Sequence, residues 1–168
     1  RGKELSGFVE KINNHNYYLL LAPGATDYYW SLDGKNLFTL ASSFFKCFIF
    51  YMFKPFIWEV SSFSSLVLSL EGVLRFLLIL FSTLFILRSE ARMKGYYLLL
   101  IIIYFFIESI WALGTSNAGT ASRHHLIAQW IIIMLGGVGM IEFIKYIIIS
   151  PLYLFKKISF KLDILKKI

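Results

Sequence analysis

Arg123, His124 and His125 stand side by side at the end of a twelve-residue polar island, Gly114 to His125, set between apolar runs at 96–113 and 126–144. A guanidinium can hold phosphate oxygens in a bidentate fork. A neighbouring imidazole can donate a hydrogen bond or a proton, and a carboxylate such as Glu59 or Glu108 can act as general base. Such a set suits an anionic, lipid-linked substrate, because positive charge stabilises a pyrophosphate leaving group most in the transition state. Two glycines and small polar side chains, among them Asn117 and Thr120, let backbone approach a ligand closely. A polar connecting loop with interfacial cations is the alternative. No metal is expected: no His-Glu-x-x-His, Cys-His or Asp-x-Asp pattern occurs, and adjacent His124 and His125 point apart in most backbones.

Composition fixes the setting. The 168 residues are 58% hydrophobic and 18% aromatic, with mean hydropathy +0.68, values of the membrane class. The net charge of +7 gathers at the ends of apolar runs and in the C-terminal tail, so it fits lipid headgroups and membrane orientation, not nucleic acid. Cys47 is the only cysteine, which leaves no intrachain disulfide and suggests a buried thiol.

Three segments must position the chemistry. Residues 1–36 read as a polar and aromatic segment, the end of a missing upstream part, with a short apolar stretch at 17–22 stopped by Pro23-Gly24. Residues 37–150 read as the membrane domain. Its first element, 37–53, is short for a span and carries Lys46, so it is interfacial, re-entrant or crossing. It stops before Pro55. Trp58 and Glu59 follow: the indole is an interfacial anchor or a substrate contact, the carboxylate a helix N-terminal charge or a reacting group. The spans are 60–87, 96–113 and 126–144, and residues 151–168 form a basic amphipathic tail.

Inside the first span, Glu71 and Arg75 lie four residues apart and can pair across one helical turn. Ionisable groups at that depth face a bundle interior or a wet cavity, so they either border a site or neutralise each other. Gly136, Gly137 and Gly139 permit close helix contact. The basic loop 88–95 and the tail belong in the cytoplasm by the positive-inside rule. Alternation then places 114–125 outside, on the same face as Trp58 and Glu59. The fold expected is an all-α integral membrane bundle: three transmembrane helices, a marginal helix and a basic amphipathic tail.

Two stretches carry a family resemblance. Phe53-Lys54-Pro55-Phe56-Ile57-Trp58-Glu59, with the serine-rich helix that follows as far as Leu70-Glu71-Gly72, resembles a segment of bacterial polytopic membrane proteins of surface-polysaccharide gene clusters. Asn117-Ala118-Gly119-Thr120-Ala121-Ser122-Arg123-His124 resembles their N-x-G-T-x-x-R-H/Q segment. Lys54 stands where arginine is expected, and His125 where a basic residue is common. These proteins look like O-antigen or exopolysaccharide repeat-unit polymerases, and the resemblance covers roughly residues 17–145.

The resemblance implies polymerisation or transfer of polyprenyl-diphosphate-linked oligosaccharides at the outer face of the bacterial inner membrane, without cofactor. Membrane lipids and other polysaccharide-assembly proteins would be the partners. Catalytic roles fall to Glu59 and His124; substrate contacts fall to Arg123, Asn117, Trp58, Thr120 and His125. Glu71, Arg75 and Glu108 are secondary candidates. A non-enzymatic transport component, with Glu71, Arg75 and Glu108 along its path, and a membrane scaffold are the competing readings.

Overall fold

In the computed structural model, residues 2–20 and 27–165 are described, with side chains at 6–18 and 27–147. The fold is all-α, as the apolar runs require. The helices are α1 (Gly2–Leu20), α2 (Leu37–Phe53), α3 (Phe63–Arg88), α4 (Ala91–Leu113), α5 (Ala118–His125) and α6 (Gln129–Leu165), with one 3₁₀ turn at Ile57–Glu59. Three are long and apolar enough to cross a membrane: Phe63–Arg88, Ala91–Leu113 and Gln129–Ile147. Their outer faces are hydrocarbon-like. Ile102, Phe106 and Ile110, one turn apart on α4, are all exposed, as a lipid-facing stripe should be. These helices make the chain an integral membrane protein.

Polar side chains set the helix starts. Asn36 accepts the Thr39 N–H while Thr39 Oγ1 accepts the Asn36 N–H, closing a capping box on α2. Ser62 and Ser65 do the same for α3, and Asn117 Oδ1 accepts the Thr120 N–H to start α5. Each bond satisfies a backbone donor that a helix N-terminus leaves open.

The boundaries shift from those the hydropathy suggests. Helix α4 starts at Ala91 rather than at 96, because Ala91, Arg92, Met93 and Lys94 are good helix formers, so the basic loop shrinks to Ser89-Glu90 between helices. Helix α6 starts at Gln129 instead of 126. It then runs past Pro151, so the tail continues the third span as backbone helix as far as Leu165. Residues 2–20, read as polar chain with a short apolar end, form a helix; residues 21–26, including Pro23 and Gly24, lie outside the described residues. Helix α1 is held by the segment 30–34. Asn13 bonds the Leu32 carbonyl and N–H at 2.9 and 2.8 Å, Asn16 Nδ2 bonds the Trp30 carbonyl at 2.5 Å, and Val9 packs on Gly34. Side-chain amides that replace strand-like pairing are hard to read from sequence.

Helix α3 descends from the end carrying 54–62, α4 returns to it, α5 follows at that end and α6 descends again. One end of the bundle therefore gathers 27–36, 54–62 and 114–128. Glu59 shares a cavity with Asp27 and Tyr28, which are bonded to the polar island, whereas Trp58 faces the other side of its turn.

Helices α3 and α6 are seated backbone to backbone. A methyl group on Gly136 would fall inside contact distance of the Leu78 carbonyl and 2.9 Å from its Cα; one on Gly139 would meet the Phe81 carbonyl. Ser82 Oγ reaches the Ile132 carbonyl at 3.4 Å. Gly137 faces open space. Accordingly, Gly136→Ala and Gly139→Ala should each destabilise the detergent-solubilised protein by about 1–3 kcal/mol. Gly137→Ala should leave its thermal melting unchanged or raised, because alanine is the better helix former.

Candidate functional site

Glu108, on α4, and His125, at the end of α5, are both buried, at 0% and 1% exposure. Glu108 Oε2 accepts the Tyr51 hydroxyl at 2.9 Å and lies 2.6 Å from His125 Nδ1. His125 Nε2 lies 3.3 Å from the Tyr51 carbonyl oxygen. A carbonyl can only accept, so a hydrogen bond there is donated by Nε2. The Tyr51 and His125 rings pack at 4.4 Å, and Cys47 Sγ donates to the Ala112 carbonyl at 3.2 Å. Together these bonds lock α2, α4 and α5 at one level.

Arg75 and Glu71 complete the interior. Their ion pair is 3.2 Å long, as the four-residue spacing suggests. Arg75 Nη1 also donates to the Met52 carbonyl at 2.5 Å, and Glu71 Oε2 accepts from Ser122 Oγ at 2.7 Å. The pair thus joins α3 to α2 and α5. The space enclosed with Tyr51, Lys54, Leu68, Ala118, Ala121, Ser122 and His125 is only about 10 Å³, room for roughly one water.

The polar island is largely occupied by its own structure. The segment 27–30 lies along it: the Tyr28 N–H donates to the Ser116 carbonyl at 2.8 Å, and Trp30 Nε1 donates to the Thr115 carbonyl at 3.0 Å. Asn117, expected to contact substrate, caps α5 and donates to the Asp27 carboxylate. Both ring nitrogens of His125, expected to contact substrate, face protein partners in the interior. His124 stacks on Trp111 with ring centres 3.9 Å apart, and its Nδ1 meets Thr115 Oγ1 at 3.0 Å. Burial, then the neighbouring His125, lowers its pKa below the usual 6.5. Arg123 and Thr120 are exposed on α5.

Beside the island opens a cavity of about 230 Å³ lined by Asp27, Tyr28, Lys54, Pro55, Glu59, Ser61 and Ser65. Lys54 Nζ donates to Glu59 Oε1 at 2.9 Å, and the Phe56 N–H donates to Glu59 Oε2 at 3.0 Å. Burial alone would raise the Glu59 pKa, but the Lys54 bond, the Phe56 N–H and the lysine charge outweigh it and hold the carboxyl below 4.5. Lys54 also borders the small interior space, so it stands between the cavity and the Glu71–Arg75 pair. Glu59 is thus in a cavity, whereas Arg123 and His124, expected to share its site, line neither this cavity nor the interior space.

On the other side of the same turn, Phe53, Phe56, Ile57 and Trp58 form a groove of about 460 Å³ with Ser69, Gly72, Val73 and Phe76 of α3. Trp58 is 80% exposed and stacks on Phe56 at 4.9 Å. Polar cavity and apolar groove therefore share one wall, residues 53–59.

No family model, curated protein or solved structure matches this chain. Among the described residues no three His, Cys, Asp or Glu side chains group as metal ligands.

Sequence reasoning did not single out Lys54, Asp27, Ser61 or Ser65 as site residues. A lysine next to the proline of the turn that bears Glu59 was the available signal; Asp27 reaches the cavity only through the fold.

Two expectations follow from this interior. Glu108→Ala leaves Tyr51 and His125 without their acceptor, so it should destabilise the protein by about 3–5 kcal/mol, as loss of one partner of a buried pair does; Glu108→Gln keeps an acceptor for Tyr51 and should cost less in the same denaturation assay. His124 should titrate below 6.5 by NMR. Between that midpoint and 6.5 the unfolded chain binds more protons, so stability rises with pH across the window, and His124→Gln should flatten that part of the melting-temperature profile.

Proposed function

We propose that this protein acts on a polyprenyl-diphosphate-linked oligosaccharide at the outer face of the bacterial inner membrane, polymerising or transferring repeat units during surface-polysaccharide assembly. The observation that carries the reading is the shared wall of residues 53–59. A polar cavity with a lysine, two carboxylates and two serines lies on one side of it, and an aromatic groove on the other. An amphiphile with a sugar-phosphate head and a hydrocarbon tail matches that pairing. The resemblance of Phe53–Glu59 and of Asn117–His124 to segments of repeat-unit polymerases points the same way.

In this reading Lys54 holds phosphate oxygens, Asp27, Ser61 and Ser65 hold sugar hydroxyls, and Trp58 borders the lipid tail. Glu59, ionised at neutral pH, accepts the proton of the acceptor hydroxyl as that oxygen bonds to the sugar anomeric carbon. The anomeric C–O bond to phosphate breaks, and polyprenyl diphosphate leaves with the electron pair. Arg123 lies at the same end of the bundle as a further cation for the incoming glycan. A transport path along Glu71, Arg75 and Glu108 finds less support, since those side chains are closely bonded and Glu71 and Arg75 border only about 10 Å³.

In a strain whose polymer depends on this protein, Glu59→Gln and Lys54→Ala should each lower polymer by roughly two orders of magnitude, the scale of a lost acid–base or anchoring group. Protein abundance and melting temperature should be unchanged, with lipid-linked single repeats collecting on the outer leaflet. Unchanged polymer in both variants, or repeats collecting on the inner leaflet, would overturn the reading.

A further inference from the structure

At the opposite end of the bundle, the turn between α3 and α4 borders a second cavity, of about 280 Å³, lined by Phe85, Arg88, Ser89, Glu90, Met93, Tyr97 and Glu142. It joins three helices, and its charges are unusual. Glu142 stands inside the apolar span Gln129–Ile147, roughly 8 Å before its end at 1.5 Å per residue. A carboxylate there is costly unless paired. Among the described residues, neither Glu142 nor Glu90 has a cation within 4.0 Å. Arg88 lies over the Tyr146 ring at 5.6 Å, one helical turn from Glu142, and makes no ion pair with it. Lys145, three residues on, makes none either. A guanidinium and two carboxylates thus face one space without meeting.

We infer that this cavity binds the headgroup of a zwitterionic aminophospholipid, with the lipid phosphate on Arg88 and the primary ammonium on Glu142 and Glu90. A phosphate takes the guanidinium in charge-assisted hydrogen bonds, and an ammonium supplies N–H donors to both carboxylates. The chemistry selects among lipids. A choline headgroup has no N–H to donate, and an anionic headgroup meets two carboxylates against one guanidinium. Ser89, whose hydroxyl donates to the Phe85 carbonyl at 2.7 Å, keeps an oxygen lone pair for the ammonium. Phe85, Met93 and Tyr97 give the headgroup an apolar floor, and exposed Leu87, Ile141 and Ile144 offer the adjoining surface to acyl chains.

The test is native mass spectrometry of the full chain in detergent, titrated with dioleoyl phosphatidylethanolamine, phosphatidylcholine or phosphatidylglycerol. One phosphatidylethanolamine should be retained with roughly tenfold preference over the other two, the scale of one charged hydrogen bond. Glu142→Gln and Arg88→Gln, both at exposed positions, should abolish the preference while melting temperature stays unchanged. Equal retention of the three lipids, a preference for phosphatidylglycerol, or an undiminished preference in both variants would overturn the assignment.

Discussion

The architecture depends on the buried contact between Glu108 and His125, 2.6 Å from carboxylate oxygen to Nδ1. The carboxylate oxygen that receives His125 also receives the Tyr51 hydroxyl, so one atom ties together α2, α4 and α5. In a low-dielectric interior such bonds are stiff, and leaving any member unpaired is costly. Short α5 has little apolar surface with which to hold its place. Its position rests on His125 at one end, the Asn117 cap at the other and Ser122 on Glu71 between them. Everything the island presents to solvent, Arg123 included, is placed by that arrangement.

The turn after α2 is placed from below by related means. Arg75 holds the Met52 carbonyl, just before the backbone leaves the helix, and Gly72 lets Phe53 approach within 3.3 Å of where a side chain would stand. The residues that follow can then face two environments, Lys54 and Glu59 toward the polar space and Phe56 with Trp58 toward hydrocarbon. Glu59 is a weak base because Lys54 and a backbone N–H stabilise its charge. A ligand anion that drew Lys54 away would remove part of that stabilisation and make the carboxylate more basic. Substrate charge and base strength are coupled through a single lysine.

Much of this was legible in the sequence. Long apolar runs announced the spans, the spacing of Glu71 and Arg75 announced their pair, and charge placement with alternation brought Trp58 and Glu59 to the end that holds the island. Hydropathy averages over a turn of helix, so these features survive without knowledge of tertiary contacts. The partners of His124 and His125 were not legible. Residue types alone do not tell a ligand-binding imidazole from one locked on a buried carboxylate 17 positions away. Helix α1 was missed because its inward face mixes Val9 and Ile12 with Asn13 and Asn16, which bind a distant backbone. The extent of α6 was missed because Pro151 reads as a stop, yet the helix continues through it.

The seating of α6 on α3 has a mechanical consequence. With glycines at the crossing, those two helices touch through backbone rather than through flexible side chains, so they behave as one stiff beam. Helix α6 extends that beam to about 55 Å at 1.5 Å per residue, well beyond the thickness of a hydrocarbon core. Glu71 and Arg75 ride on the beam, whereas Tyr51 rides on α2 and Lys54 follows its last turn, and α2 meets the beam through the Arg75–Met52 bond and the packing of Phe53 on Gly72 and Phe76. The polar cavity therefore spans the junction of the two parts, with Ser65 on the beam and Lys54, Pro55 and Glu59 on the turn that follows α2.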